Sequence, residues 1–497
     1  MAPVLLCLDS GTTSVKAAAF DGHGRLLAGA ERPNGALHRD GLRVEQDMDL
    51  TRDEALAVLR DCAAQVTEPI TGLIVTGQGD GLWSVDSTGK PVGRALTWLD
   101  GRARGLVAGM AQALDTVQAA TGSRPTAASA SLQLLWVQRN DPARHVRIAH
   151  ALRLKEWLFL SLTGRLLAEP TALLPVWGDW RSGALATEVP YILGLSRGLE
   201  LLPELVPMGA ARAGLSATAA QATGLPQGLP VLIGPGDVQA TLIGLGLGSR
   251  QGVARASIFG TSAIHACLVD EPATMPQAPA GAMIQQFALQ PGYLCFHPCF
   301  NGASVLHHLS RRFADLPAAP EPQYSSLILH PFLEPGGERA PWTDPFATGA
   351  LFGLNAATTS AQIAWAGREA LAFVTHASHA MMRAPEGALS LGGGLAGDKH
   401  FAQFVATLTG CTVQRSPGIH AGLRGLAAVA ARFLLNAPDY AVWIGSPQQS
   451  IAPATGPIAA YADHKYRLFS ALIEAAAPFW AGLSDLGAEA ERLMEIP

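Results

Sequence analysis

Two stretches of this 497-residue chain, half a chain apart, follow one pattern. GTTSVKAAAFD starts at Gly11 and GTSAIHACLVD at Gly260. Each follows an apolar run, opens Gly-Thr with a further hydroxyl residue, continues as an apolar strand and reaches an Asp ten positions after its Gly. Short Gly-Thr turns recur by chance. One at the start of each half, however, points to two related units, each beginning strand, polar turn, strand. Two such units facing one cleft would bring both turns to the same ligand. The length suits two domains, each able to bury a core.

Strand and helix alternation between these landmarks argues an α/β architecture. Residues 4–8, 15–20 and 25–30 read as strands, the last two joined by Asp21-Gly22-His23-Gly24, a hairpin signal. A helix is expected over 51–65, capped by Asp49 or Thr51, with further helices near 106–119 and 132–139. ITGLIVTGQGDGLWSVD reads as buried strand, Gly-rich turn and strand, and GLPVLIGPGDVQATLIGLGLG as strand, Gly-Pro-Gly turn and helix. The Gly-rich segment 246–256 is the expected boundary, dividing the chain into domains 1–246 and 247–497.

Composition excludes several classes. With 48% hydrophobic and 15% charged residues the chain is globular, and a net charge of −5 gives no basic footprint for nucleic acid. Six scattered Cys imply no disulfide framework and fit a reducing cytosol. The apolar run at 4–8 is too short for a signal-peptide core, and no uncharged apolar stretch reaches membrane-spanning length. The expectation is a soluble cytoplasmic protein with no nucleic-acid or membrane partner.

The polar turns are candidate ligand loops. Successive N–H groups of a Gly-rich turn form a nest for anionic oxygens, and Gly lets backbone approach closely. Thr12, Thr13 and Ser14 add hydroxyl donors beside Gly11, and Lys16 adds charge; Gly260, Thr261 and Ser262 offer the same from the second half. A third loop, SLGGGLAGDKHFAQF, carries Gly392, Gly393 and Gly394, where a flat ligand could lie against backbone. Any one of these loops reads more readily as an ordinary turn; the three together point to a nucleotide. Neither GxxxxGK[ST] nor a GxGxxG after the first strand is present. Asp9 and Asp237 stand at strand ends, where open α/β sheets bind ligands. Phosphoryl transfer needs Mg²⁺, held by one or two carboxylates, and a carboxylate within reach of the alcohol proton. Asp9 for the metal and Asp237 for the base fill both roles. Asp beside Gly is also commonly a turn or capping residue, and on the residues alone both readings stay open.

In order along the chain, LDSGTTSVKAAAFD, GLIVTGQGDGLWSVDSTGKPVGRALTWLDGRA, LLWVQRNDPA, KEWLFLSLTGRLLAEPT, LIGPGDVQA, IFGTSA, HPFLEPGGERAPWTDPFATGALFGL and LGGGLAG resemble successive motifs of the FGGY family of carbohydrate kinases. The ordered set covers most of the chain and is specific where no single motif is. The resemblance implies two actin-like, ribonuclease H-like α/β domains of the sugar-kinase and actin superfamily, flanking a central cleft. It implies ATP- and Mg²⁺-dependent phosphorylation of a hydroxyl on a small sugar or polyol. It makes Asp237 the general base and puts Asp9 and Asp237 near the magnesium. Gly11, Thr12, Thr13, Ser14, Lys16, Gly260, Thr261, Gly302, Gly393, Gly394 and Asp398 would surround the nucleotide. Gln78, Gly79, Asp80, Trp98, Asp100 and Asp237 would hold the sugar.

Departures from the family pattern bear on the acceptor. Gln78 is followed by Gly79-Asp80-Gly81, where glycerol kinases carry Arg-Glu and xylulose kinases Met-His. Ala127-Ala128-Ser129-Ala130 stands near polar positions of glycerol kinases, Val238 follows the base where an amide is common, and Gln133 replaces a frequent Lys. Glycerol is disfavoured. Asp80 can accept hydrogen bonds from two sugar hydroxyls, and QGDGLW also resembles tetritol kinases. The expected acceptor is a pentulose of the xylulose type, then a four- or five-carbon polyol such as erythritol. An ATP-binding sugar sensor without transfer is the rival from another class. The helical tail at 466–494 packs on the second domain or on another subunit, which leaves a homodimer open. Cys295, His297 and Cys299 would share one face of a strand, but no fourth zinc ligand is evident, so a half-buried strand is expected. His376 and His379 read as a partly buried or solvated helix face. Of the tryptophans, Trp83 and Trp98 flank the Asp80 loop and are the better candidates for stacking on a sugar; Trp177 and Trp180 read as core.

Overall fold

The computed structural model describes residues 3–248, 252–269, 281–334, 336–415 and 420–494. Among shorter elements, the first half contains β1 (Val4–Ser10), β2 (Ser14–Phe20), β3 (Leu26–Pro33), β4 (Leu37–Asp40), β5 (Arg43–Gln46), α1 (Met48–Ala63), β6 (Ile70–Gly77), β7 (Gly81–Val85), β8 (Ala95–Thr97), α2 (Ala130–Asn140), β9 (His150–Leu152), α3 (Leu154–Thr163), α4 (Pro170–Trp177), β10 (Arg212–Gly214), β11 (Pro230–Ile233) and α5 (Asp237–Gly244). The second contains β12 (Val253–Phe259), β13 (Ala263–Val269), β14 (Met283–Gln286), β15 (Tyr293–Cys299), α6 (Ser360–Met381), β16 (Ala388–Gly393), α7 (Lys399–Thr409), β17 (Val413–Arg415), α8 (Ala421–Leu434), β18 (Gln449–Ile451), α9 (Pro457–Ala476) and α10 (Trp480–Met494).

The repeated sequence pattern folds twice into the same unit. The first sheet has the order β10-β11-β6-β1-β2-β3 and the second β14-β15-β13-β12-β16-β17-β18. β1 pairs antiparallel with β2 and parallel with β6; β12 pairs antiparallel with β13 and parallel with β16. The registers Ser10↔Gly77 and Phe259↔Gly393 place each polar turn beside the loop leaving its parallel neighbour. β11 runs parallel to β6, with Ile233 opposite Val75, so the segment leading to Asp237 exits at the same edge. A third sheet, β4-β5-β8-β7-β9, flanks the first.

Three cores hold these layers. One face of the first sheet packs on α1 and α3 through Val58, Leu59, Trp157 and Leu158. The outer face of the second packs on α6, α7 and α9 through Phe373, Phe401 and Phe469. Between the sheets, Leu5, Phe20 and Ile74 meet Ala256, Leu294 and Phe296, with Leu242 and Ile243 of α5 and Leu423 and Leu426 of α8 filling the gap. Burying each large side chain stabilises by about 1.5–3 kcal/mol, so this middle core knits the halves. α5 and α8 cross where only glycine fits: a Cβ on Gly244 would run into Ala421, and one on Gly425 into Ala240.

Several expectations are corrected. α1 begins at Met48, because Asp47 caps it: the Asp47 carboxylate accepts from Leu50 N at 2.9 Å, while Thr51 donates back to Asp47 O at 2.6 Å. The single helix expected over 106–119 is two, Arg104–Gly109 and Ala111–Thr121, divided at Met110. Residues 249–251 of the expected boundary lie outside the described residues, and β12 already begins within that segment. The tail lies on the second half, where Phe469, Ile473 and Trp480 enter its core. β15 is buried on both faces, Cys295, His297 and Cys299 on one and Leu294 and Phe296 on the other. His379 is buried too, its Nε2 3.0 Å from Ser257 Oγ, which lies 2.9 Å from His265 Nδ1. Burial pushes His265 down to about 3, so it stays neutral. Trp83 belongs to the core rather than to a ligand face. Among the described residues no group of three His, Cys, Asp or Glu could hold a metal ion, and no helix is long and apolar enough to cross a membrane.

Candidate active site

The candidate site forms at the carboxyl ends of β1, β6 and β11. Asp9, next to last in β1, lies opposite Lys16 of β2 and Thr76 of β6. Its Oδ1 is buried and has no hydrogen-bond partner. Its Oδ2 faces Gly422 in the first turn of α8, where a Cβ would come within 3.3 Å. Burial pushes the Asp9 carboxyl up to about 6 against the pull of Lys16. Lys16 in turn pairs with Glu31 at 3.5 Å.

Asp237 is the first residue of α5, and the turn before it is tied from two sides. Thr76 donates to Pro235 O at 2.5 Å, and Gly234 N donates to Val75 O at 2.8 Å. Gly236 N donates to Thr171 Oγ1 at 3.4 Å, and that hydroxyl donates to Glu169 Oε1 at 2.7 Å. Glu169 is fully buried and pairs with Lys155 Nζ at 2.5 Å. Asp237 Oδ1 accepts from Val238 N at 2.9 Å. Burial pushes Asp237 up to about 7, helped by the carboxylates of Asp9 and Asp80 and opposed by the Val238 N–H.

The loop from β6 to β7 runs directly against this carboxylate: a Cβ on Gly79 would sit 3.2 Å from Asp237 Oδ1. Asp80 Oδ1 accepts from Arg153 Nη1 at 3.3 Å, and the same nitrogen reaches Gly79 O at 3.3 Å. Burial raises the Asp80 carboxyl, with Arg153 and Arg339 pulling the other way. Trp98, just beyond β8, donates from Nε1 to Thr12 Oγ1 at 2.9 Å, joining the segment after β8 to the first polar turn. That turn is closed by Gly11 N to Ser14 O at 3.0 Å and held by Asn34 Nδ2 on Gly11 O and Thr12 O, both at 3.1 Å, with Thr13 exposed.

Two expected ligand residues are engaged elsewhere. Asp100 accepts from Val44 N at 3.0 Å and is chelated by Arg102, whose Nη2 also reaches Glu45 at 2.7 Å. Asp398 caps α7, accepting from His400 N and Phe401 N, and pairs with Arg368 Nε at 2.7 Å. Both carboxylates shape their loops rather than presenting a free oxygen. Gln78 is turned into the core, its Nε2 donating to Gln46 Oε1 at 2.7 Å while its own buried Oε1 has no partner.

The other residues expected at the nucleotide stand on the second sheet. Gly260 and Thr261 are exposed at the end of β12. Gly302 donates from its N–H to Thr261 O at 3.2 Å, and a side chain there would strike Ser262. Gly393 has φ +83° and lies under Phe259 O, leaving no room for a Cβ, whereas Gly394 is open. Arg415 holds Ala396 O at 2.6 Å and Gly397 O at 2.8 Å, which fixes this third loop. The structure therefore gathers Asp9, Thr12, Gly79, Asp80, Trp98 and Asp237, and sets Gly260, Thr261, Gly393 and Gly394 together at neighbouring strand ends.

Sequence reasoning missed Thr171, Arg153, Arg339 and Gly422. The Arg339 guanidinium lies 4.0 Å over the Phe300 ring. Arg153 meets an Asp 73 residues away. No local pattern marks such long-range partners, although Arg339 lies inside the GERAPW motif.

Two α/β halves joined by crossing helices, with carboxylates at the strand ends of one and glycine loops at those of the other, have the architecture of a two-domain sugar kinase. Residues 4–244 match the N-terminal domain of the FGGY family of carbohydrate kinases, and residues 255–434 match its C-terminal domain. The chain belongs to this family: it is a carbohydrate kinase, with ATP as phosphate donor and a sugar or polyol as acceptor. It is 28% identical to the erythritol kinase of Brucella abortus, covering 97% of this chain and 98% of that protein. It is 27% identical to a xylulose kinase of Klebsiella pneumoniae, covering 86% and 88%. Among solved structures, gluconate kinase from Lactobacillus acidophilus aligns with a TM-score of 0.87 at 19% identity, covering 97% of this chain and 100% of that one. Ligand-bound xylulose kinase from the same organism aligns equally well, with a TM-score of 0.87 at 20% identity and the same coverage. At these identities the structures speak for the fold alone.

Proposed function

We propose that this kinase phosphorylates a primary hydroxyl of an uncharged four- or five-carbon polyol or ketose, with Asp237 as general base. The observation that carries the reading is the Asp237 carboxylate, raised to about 7 and lying against the glycine loop that bears Asp80. At neutral pH such a group is partly ionised and able to take a proton. Asp80 accepts hydrogen bonds from acceptor hydroxyls beyond the reacting one, and Trp98 lines the same side. The acceptor hydroxyl, losing its proton to Asp237, bonds to the γ-phosphorus of ATP as the bond to the β–γ bridging oxygen breaks and ADP leaves; the phosphates lie along the backbone of the Gly11 and Gly260 turns. We assign the acceptor to a domain of about 1–246 and adenosine to one of about 247–497; closure between them excludes competing water.

Mg²⁺ fits Asp9, where a buried carboxylate oxygen lacks any hydrogen-bond donor. Bound there, with Asp237 nearby, it would neutralise charge on the β- and γ-phosphates. A tetritol such as erythritol is the first acceptor to test, because the erythritol kinase relative aligns over nearly the whole chain and QGDGLW suits such an acceptor. A pentulose such as xylulose is the second, supported by the xylulose kinase relatives. The six free, buried cysteines support a cytoplasmic setting.

ADP release with Mg-ATP, measured across erythritol, ribitol, D- and L-xylulose, D- and L-ribulose and glycerol, tests the reading. One strong response is expected, and Asp237→Asn should lower that kcat by about 10²–10⁴-fold while ATP still binds. A flat panel with intact ATP binding would instead favour a sensor.

A further inference from the structure

We infer that Thr241 is a positioning residue for Mg²⁺, its hydroxyl holding a water of the ion in the space that Gly422 leaves open beside Asp9. The inference rests on the assignment of the ion to Asp9. Three elements meet at this point: Asp9 near the end of β1, Thr241 on α5 and Gly422 in the first turn of α8. A Cβ on Gly422 would lie 3.3 Å from Asp9 Oδ2 and 3.3 Å from Thr241 Oγ1, so both oxygens face the place where a side chain is missing. Among the described residues, and apart from its own helix and chain neighbours, no other heavy atom comes within 4 Å of that position. The backbone of Gly422 lies outside the left-handed region, so its conformation does not call for glycine. Alanine would be the better helix former there. What glycine supplies at 422 is room.

The Thr241 hydroxyl is uncommitted. A threonine inside a helix can donate to the carbonyl four residues back, as Thr116, Thr163, Thr223, Thr375 and Thr409 do here at 2.7–2.9 Å. Thr241 Oγ1 makes no hydrogen bond among the described residues. Thr241 follows Asp237 by four residues, which puts both side chains on one face of α5. That the Asp9 charge helps to raise Asp237 agrees with this face lying toward β1.

Asp9 is equally unserved. Its Oδ1 is buried without a partner, and Lys16, the cation opposite it on β2, pairs with Glu31 at 3.5 Å instead. A carboxylate and a free hydroxyl thus face one small space without bonding to each other. Mg²⁺ gives up its waters reluctantly and keeps several of them when one or two carboxylates bind it. Each such water carries two protons that need acceptors. Thr241 Oγ1 has lone pairs to offer one of them, on the side of Asp9 that Gly422 keeps open. A water held in this way fixes the orientation of the ion's shell relative to Asp237, one turn earlier on the same helix.

The test is the affinity of Mn²⁺, used as the probe for Mg²⁺, for the full chain saturated with ADP, read from the electron paramagnetic resonance of the free ion. Thr241→Val keeps the shape of the side chain and removes the hydroxyl. It should weaken Mn²⁺ binding by about 3- to 10-fold, and Thr241→Ser should restore it. Gly422→Ala fills the space and should weaken Mn²⁺ by about tenfold or more. Without metal it should melt at or above the wild-type temperature, because Ala favours the helix. ADP binding in excess chelator should be the same in wild type and all three variants. Wild-type Mn²⁺ affinity in Thr241→Val overturns the inference. So does an equal loss of ADP affinity in chelator, which would put the hydroxyl on a phosphate oxygen. Asp9→Asn separates this inference from the reading beneath it. If that variant binds Mn²⁺ as wild type does, the assignment of the ion to Asp9 fails and the inference falls with it. If it weakens Mn²⁺ while Thr241→Val does not, only the role of Thr241 fails.

Discussion

Asp237 and Asp9 are raised chiefly by burial, and the mutual repulsion of carboxylates adds to the shift of Asp237. A carboxyl raised in the folded state contributes stability below its unfolded value, near 3.8, and loses it as pH rises through the folded value, about 7 for Asp237. Asp237→Asn should therefore melt at a higher temperature than wild type at pH 8 and match it near pH 4, although it is nearly inactive; calorimetric melts at both pH values check this. The same shift should appear as an acid limb near pH 7 in the kcat/KM profile. Removing the Asp80 charge relieves one repulsion, so Asp80→Asn should move that limb to lower pH, by up to about one unit. A limb that stays in place would mean Asp80 does not face the base. Asp9 and Asp237 were legible in the sequence, because each sits where an apolar run meets a glycine turn; Asp80 was singled out only through the family resemblance. Asp100 and Asp398 were expected on the same resemblance. Only their distant partners, Val44 for one and Arg368 for the other, reveal that their oxygens are engaged.

At the scale of elements, the turn before Asp237 is positioned by β6 on one side and by α4 and α3 on the other rather than by its own residues. Lys155 of α3 holds Glu169, Glu169 holds Thr171 of α4, and Thr171 receives the Gly236 N–H. Thr171→Val leaves the buried Gly236 N–H without a partner and takes one of two donors from Glu169 Oε1, which keeps Lys155, a loss of about 1–3 kcal/mol. It should lower kcat by about 10- to 100-fold through misplacement of the base, leave KM for ATP near wild type, and be rescued by Thr171→Ser. Steady-state kinetics on the three proteins distinguishes this from a merely structural loss, which would not respond to restoring the hydroxyl. Strands and hairpins were read nearly correctly, since an apolar run bounded by a polar turn needs no distant information. Helix ends were less legible: Asp47, Asp49 and Thr51 are all competent caps, and the burial of Met48 under the first sheet selects Asp47.

Across the whole molecule, the crossing of α5 and α8 joins the halves and sets the base, because Asp237 begins α5 and Gly422 in the first turn of α8 abuts Asp9. Gly425→Ala must push the helices apart. It should destabilise by about 1–3 kcal/mol and lower kcat as well, seen as a depressed melting temperature together with slower ADP release; an unchanged melt would show that the crossing yields freely. Neither glycine was singled out in the sequence, since a glycine inside a helix declares nothing about what crosses it. By itself, the sequence determined the two-fold repetition, the α/β class, the two aspartates at strand ends and the three glycine loops. These are local consequences of apolar periodicity, turn chemistry and the conformational freedom of glycine. The tertiary structure alone decided which carboxylates remain free, which arginines reach Asp80, and what holds the turn before the base. Those outcomes depend on contacts between residues tens to hundreds of positions apart, formed only when the sheets and the helices between them share a core.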